Sequence, residues 1–442
     1  MKKAKQLSFI MLTALVMGNM IGSGVFLLPA TLAPYGHFAL AGWAVSAVGA
    51  MLLAFVFARL SFHIPLQGGI FAFSRHAFGD YIGFQVAWGY WIQTWIGNAA
   101  IVVTIMAYLA SVWPALISNK VLAICISQGI LWGITGINLI SLRMAGIVQT
   151  ITTVLKLMPI LLIVAVGIFY IDLPNITVAP MDTSTSSWDI MNKVVLLTMW
   201  SFIGVETAGV PAGSIANPKK TIPLATLVGT GLTAVVYLLS MVVVMGVMPQ
   251  GELASSTAPY AIAAQYIFGS SWGVFFFWLI AVGAIISSLG ALNGWILIQG
   301  QMPLAAAETG LFPKIFKKTN KTDVPYVGVI VSSGLISLLL LFGIQGGFIS
   351  LFEFIISLAT LAILICYLFA VAAQLLMIQT KEIEPKDLSW TDRILAPLAF
   401  IYVLYAMYGA GSLMGIVALF FFASTPIYGF LAKKKKRNSL KQ

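Results

Sequence analysis

The stretch Gly18-Asn-Met-Ile-Gly-Ser-Gly-Val-Phe26 lies in the middle of the first long apolar run of the chain. Glycine, asparagine and serine all weaken a helix, and three glycines within seven residues argue against an unbroken helix here. In hydrocarbon, backbone left unpaired by such a break costs several kcal/mol per group, so the break must face protein, water or a ligand. An interrupted helix near the bilayer midplane presents N–H groups from one half and C=O groups from the other. That geometry suits a small solute carrying both a carboxylate and an ammonium, and the stretch reads as a binding site.

The rest of the chain fits a membrane setting. Of 442 residues, 60% are hydrophobic and only 8% charged, and the mean hydropathy is +0.99, unlike any water-soluble domain. The formal charge of +11 would suit nucleic acid, but basic residues in short loops between apolar spans are explained by membrane topology. Cys125 and Cys366 both lie inside apolar runs and read as small hydrophobes. Lys2, Lys3 and Lys5 precede the first apolar run, as in a signal peptide. That run nevertheless exceeds the roughly 7–15 residues of a signal core and ends in no clear cleavage pattern, so it is kept as a span.

With roughly 20 apolar residues needed to cross, twelve spans are expected. They lie near 8–33, 38–62, 81–113, 119–141, 145–171, 192–215, 222–248, 272–305, 326–343, 348–377, 391–411 and 413–432. Charge tests the count. With both termini cytoplasmic, 21 of the 24 basic residues fall on the inner side, and the exceptions are Lys120, Lys156 and Lys193. The run Lys433 to Arg437 then reads as a topology anchor beside anionic lipid.

A second interruption falls in span 6, at Trp200-Ser-Phe-Ile-Gly-Val-Glu-Thr-Ala-Gly-Val-Pro-Ala-Gly213, where Gly204, Gly209, Pro211 and Gly213 weaken a helix that also carries Glu206. Spans 1 and 6 hold corresponding places in two five-span halves, the pattern of inverted-repeat carriers with a central site. Span 8 adds Gly290-Ala-Leu-Asn-Gly-Trp295, whose small residues permit close helix approach.

Candidate chemistry is sparse. His37, His63 and His76 sit in loops or at span ends, and no HExxH, paired CxxC or Walker loop occurs, so neither a metal nor an enzymatic site is expected. Lys156, deep in span 5, either pairs with a carbonyl or snorkels, or else serves as a fixed or titrating cation in a carrier scaffold. Glu206 is either a satisfied helix-end carboxylate or a gate, and Glu353 is placed near the outer end of span 10. Trp43, Trp113, Trp188, Trp272 and Trp390 lie near span ends and fit an interfacial belt. Trp200 and Trp295 lie deeper and are candidates to close a pocket over a cationic side chain.

Taken together, Gly22-Ser-Gly-Val-Phe-Leu-Leu-Pro-Ala30, Tyr90-Trp-Ile-Gln-Thr-Trp-Ile-Gly-Asn98 and Trp200-Ser-Phe-Ile-Gly-Val-Glu206 resemble the amino acid/polyamine/organocation (APC) superfamily. Within it the chain is closest to basic amino acid/polyamine antiporters of the arginine/agmatine exchanger type. The resemblance runs to about residue 325, through Asn217-Pro-Lys-Lys and Ala306-Ala-Glu-Thr-Gly-Leu-Phe-Pro313. It implies an all-α membrane protein of twelve transmembrane helices, an inverted five-helix repeat (LeuT-like) with discontinuous helices 1 and 6. Residues 1–380 would form the transport core, and residues 381–442 two accessory spans and a basic tail.

By the same resemblance, Ser23 and Gly24 would bind the substrate carboxylate, and the carbonyls of Met20, Trp200 and Ile203 would take the ammonium. Trp200 would stack on the distal cation, Asn98 would contact the far end of the side chain, and Tyr90, Glu206 and Trp295 would form layered gates. Gln93, Thr94 and Ala359 beside Thr360 depart from the exchanger pattern, and Lys156 resembles the lysine of proton-coupled members.

The expected function is antiport of a cationic amino acid against its decarboxylated amine or a related amino acid, in a bacterial inner membrane. The alternative is proton-coupled uptake through Lys156. The implied partners are the small-molecule substrate and the lipid bilayer, with no nucleic acid and no cofactor, and a homodimer is left open.

Overall fold

A computed structural model describes residues 8–64, 69–140, 156–209, 215, 217–343, 347–383 and 390–439, and among these it is all helical with no strand. Lys2, Lys3, Lys5, Arg143, Pro211, Gly213, Lys386 and Lys441 lie outside the described residues, as do the start of span 5 and the side chains of Trp390 and residues 434–439.

In chain order the main helices are α1 (Phe9–Met20), α2 (Ser23–Leu32), α3 (Phe38–His63), α4 (Ile70–Val112), α5 (Lys120–Ile140), α6 (Lys156–Tyr170) and α7 (Ser187–Met199). They continue with α8 (Pro218–Val247), α9 (Pro259–Glu308), α10 (Tyr326–Gly343), α11 (Phe348–Gln379), α12 (Trp390–Tyr408) and α13 (Leu413–Ser439). Local chemistry sets the starts. Ser186 accepts the N–H of Asp189 at the head of α7, and α8 and α9 open on Pro218 and Pro259, where a missing N–H costs nothing.

Nine helical stretches among the described residues are long and apolar enough to cross a membrane, the first being Phe9–Tyr35 taken across its break. The expected spans 5, 6 and 11 are not among them. The described part of span 5 is the shorter apolar helix Lys156–Tyr170, span 6 stops being an α-helix at Met199, and α12 carries Asp392 and Arg393 in its first turn.

The order of elements recurs along the chain. A broken helix (α1 and α2), an unbroken one (α3) and one bent at a positive-φ glycine (α4, Gly79 at φ 79°) are followed later by the same series. The later members are α7 with its trailing turns, α8, and α9 with Gly269 at φ 64°. Packing is reciprocal as well: α1 lies on α8, α7 lies on α3, and α3 lies on α8, while α4 runs between α9 and α11.

Trp43 corrects one expectation. It is not interfacial but 1% exposed, with its ring 5.1 Å from Tyr237 and 5.9 Å from Phe202. Nearness to a span end mistook depth along the helix for contact with lipid. Trp113, Trp188 and Trp272 are exposed, and Glu353 pairs with Lys193 at 3.1 Å.

Candidate substrate site at the two helix breaks

The first break is short. α1 ends at Met20, Ile21 turns extended while its N–H still reaches Met17 O at 2.8 Å, and α2 starts at Ser23 with no side-chain cap on Gly22. The N–H groups of Ser23, Gly24 and Val25 occupy the first turn of α2, where a helix offers no internal acceptor and its dipole favours negative charge.

The carbonyl end differs from expectation. A helix leaves its last carbonyls without intrahelical donors, and here side chains from three other helices supply them. Lys156 Nζ donates to Gly18 O, Trp295 Nε1 to Asn19 O at 3.3 Å, and Tyr237 Oη to Met20 O at 2.7 Å. The Met20 carbonyl is therefore not a bare acceptor, and only its second lone pair is left for a ligand.

In the second break α7 gives way to a 3-10 turn, Trp200–Phe202, followed by an extended Ile203 and a further 3-10 turn, Val205–Gly209. Between them Gly204 sits at φ +116°, and a Cβ there would lie 3.2–3.3 Å from Asn19 C, Asn19 Cβ and Met20 N. Glycine is required twice over, for the backbone angle and for the contact with the first break.

Ser23, Gly24, Asn98, Trp200, Ile203 and Trp295 line one cavity, together with Met20. It is small, at about 20 Å³, which is room for a single water. The Trp200 indole fills the space against α4, since a Cβ on Gly97 would come within 2.7 Å of its Cη2. Gln93 and Thr94 complete the α4 wall.

Three of the residues expected at the site, Tyr90, Glu206 and Lys156, stand apart from this cavity. Tyr90 lines a second one of about 460 Å³, which Asn19 also borders and which runs past Glu206 and Met302 to the exposed Glu308. Its hydroxyl is turned to Glu206 Oε1 at 2.9 Å, while Tyr367 Oη and the Gly204 N–H donate to Oε2 at 2.5 and 3.0 Å. Glu206 thus joins α4, the second break and α11. Lys156 lies behind the first break, 2% exposed. Sequence reasoning did not find Tyr237, Tyr367 or Gln299, since an aromatic or amide inside an apolar run has no periodic signature that separates it from core. Among the described residues no group of three or more His, Cys, Asp or Glu side chains could hold a metal.

The fold defines a multi-pass helical membrane protein. The chain belongs to the amino acid permease family, whose model matches residues 7–438. It is 33% identical over 435 residues to the cadaverine/lysine antiporter of Escherichia coli (strain K12), covering 96% of both chains. It is 30% identical over 435 residues to the putrescine transporter PotE of Haemophilus influenzae, covering 98% of both. To the arginine/ornithine antiporter of Pseudomonas aeruginosa it is 34% identical over 417 residues, covering 90% of this chain and 85% of that one. These relatives place it in the APC superfamily among basic amino acid/polyamine antiporters, and it is a transporter rather than an enzyme.

Proposed function

We propose that this chain is an antiporter of the bacterial inner membrane that exchanges a cationic amino acid for its decarboxylated amine or a related amino acid. The observation that carries the reading is the meeting of the two breaks. Gly204 of the second touches Asn19 and Met20 of the first, so the N-terminus of α2 and the Trp200 indole share one cavity. The N–H groups and hydroxyl at Ser23 and Gly24 take the carboxylate, Ile203 O and the spare lone pairs at Met20 and Trp200 take the ammonium, and Trp200 stacks on the distal cation. The three relatives' printed substrates, all basic amino acids or diamines, fit the same chemistry.

In this reading the chain has ten core spans in an inverted repeat, with two accessory spans after residue 380 and both termini cytoplasmic. The recurring helix order supports it. The cavity reaching Glu308 is then the inner vestibule, with Trp295 on Asn19 and Tyr90 on Glu206 as the layer between it and the site. The test is exchange in liposomes: labelled lysine or arginine should enter vesicles preloaded with a cationic amino acid or diamine and should not enter empty ones.

A second reading, proton-coupled uptake, is favoured by one observation, the buried Lys156 ammonium on the last turn of α1. Uptake into empty vesicles driven by a pH gradient would select it over exchange.

A further inference from the structure

The α4 wall of the small cavity is polarised by groups that do not touch it. Asn98, 1% exposed, donates from Nδ2 to Gln299 Oε1 at 2.6 Å. Gln299, itself fully buried, donates from Nε2 to Ser333 Oγ at 3.1 Å and to the carbonyl of Val329 at 3.4 Å, and Ser333 Oγ meets Thr135 Oγ1 at 2.9 Å. A main-chain carbonyl only accepts, so the Gln299 amide nitrogen must face Val329 and its oxygen must face Asn98. One of the two Asn98 N–H donors is therefore committed to Gln299. Its Oδ1, buried and without a hydrogen-bond partner, is an acceptor left over on a residue that lines the cavity.

Thr94 adds a second oxygen of the same kind. Its only proton is shared between Tyr90 O at 2.7 Å and Gln93 Oε1 at 3.4 Å, so toward the cavity its hydroxyl can only accept.

We propose that Gln299 is a specificity-determining positioning residue: it fixes the amide of Asn98 with oxygen toward the site, giving this wall an acceptor that selects side chains ending in a cationic hydrogen-bond donor. A carboxylate there would set acceptor against acceptor. An apolar end would leave Oδ1 buried and unpaired, the situation in which a site built to bond a substrate group rejects an analogue lacking it. The inference rests on the substrate class proposed above.

The test is competition for exchange in liposomes by lysine and by norleucine, which has no terminal ammonium. Wild type should prefer lysine, and Gln299→Leu should lower that preference about tenfold by weakening lysine alone, as expected for losing one hydrogen bond to a charged group. A merely structural role would weaken both competitors together. Asp offers an oxygen whichever way it turns, so Asn98→Asp combined with Gln299→Leu should restore the preference. Gln299→Met, closer in volume, carries the same expectation if the leucine variant does not insert. A selective wild type with an unchanged Gln299 variant, or no rescue by the aspartate, overturns this proposal alone. A wild type that does not distinguish lysine from norleucine overturns it together with the substrate class.

Discussion

Lys156 Nζ donates to the carbonyl of Gly18, so a lysine on α6 closes the end of a helix 138 residues earlier in the chain. The bond falls two residues before the end of α1, on the side of the break away from Ser23 and Gly24. Any movement of α1 against α6 has to break or carry this contact.

Lys156→Met keeps most of the stem and removes the donor, leaving the Gly18 carbonyl buried without it. A buried acceptor stripped of its donor costs about 1–3 kcal/mol. The variant should therefore melt lower in detergent and exchange at least tenfold more slowly. Lys156→Arg should not rescue it, since a planar fork does not fit where a compact ammonium points at one carbonyl. Wild-type melting and rate in the methionine variant would show that the contact contributes nothing.

Glu206 gives a prediction about coupling. Its carboxylate takes Tyr90 and Tyr367 on different oxygens, with Gly204 N–H sharing the second. Tyr90→Phe and Tyr367→Phe should each destabilise by about 1–2 kcal/mol. Because both act on one group, their double variant should lose less than the sum. Strict additivity in thermal melting would mean that the two tyrosines do not share Glu206 in the membrane.

How much of this was legible follows from what local composition can encode. The break at Ile21 and Gly22 was readable because glycine, asparagine and serine oppose a helix wherever it sits, and Gly204 was readable for the same reason. Most of the site residues then followed by resemblance, and Met20, Ser23, Gly24, Asn98, Trp200, Ile203 and Trp295 do meet in one cavity. Pairings across the bundle were not readable. Tyr237 reaches Met20 across 217 positions and Asn98 reaches Gln299 across 201, and no spacing rule connects residues so far apart. That Tyr90 borders the second cavity and not the first was not readable either, because a helix position does not reveal which of two cavities its ring faces. Trp43 was misplaced because end-of-span position says nothing of which face packs on Tyr237.

Trp200 tests the stacking role directly. A cation over an indole contributes about 0.5–2 kcal/mol, more when the pair is desolvated. Trp200→Leu should weaken cationic substrates by about tenfold and norleucine far less. Trp272→Leu, at a residue 63% exposed, should leave both unchanged. Equal effects at the two positions in the competition assay would remove the stacking role.

Gly204→Ala is the sharpest test of the contact between the two breaks. At φ +116° an alanine is strained by about 1–3 kcal/mol wherever it stands, and here its methyl would also press 3.2 Å from the Asn19 carbonyl carbon. Neither neighbour can yield cheaply, because both are main chain at the end of α1, held by Trp295 on Asn19 and Tyr237 on Met20. Exchange should fall by at least tenfold, with a lower melting temperature. Gly79→Ala, also at positive φ but with nothing within 4 Å of its Cβ position, should pay the strain alone and melt lower while keeping most of its exchange. If Gly204→Ala transports no worse than Gly79→Ala, backbone strain accounts for both, and the two broken spans do not depend on touching.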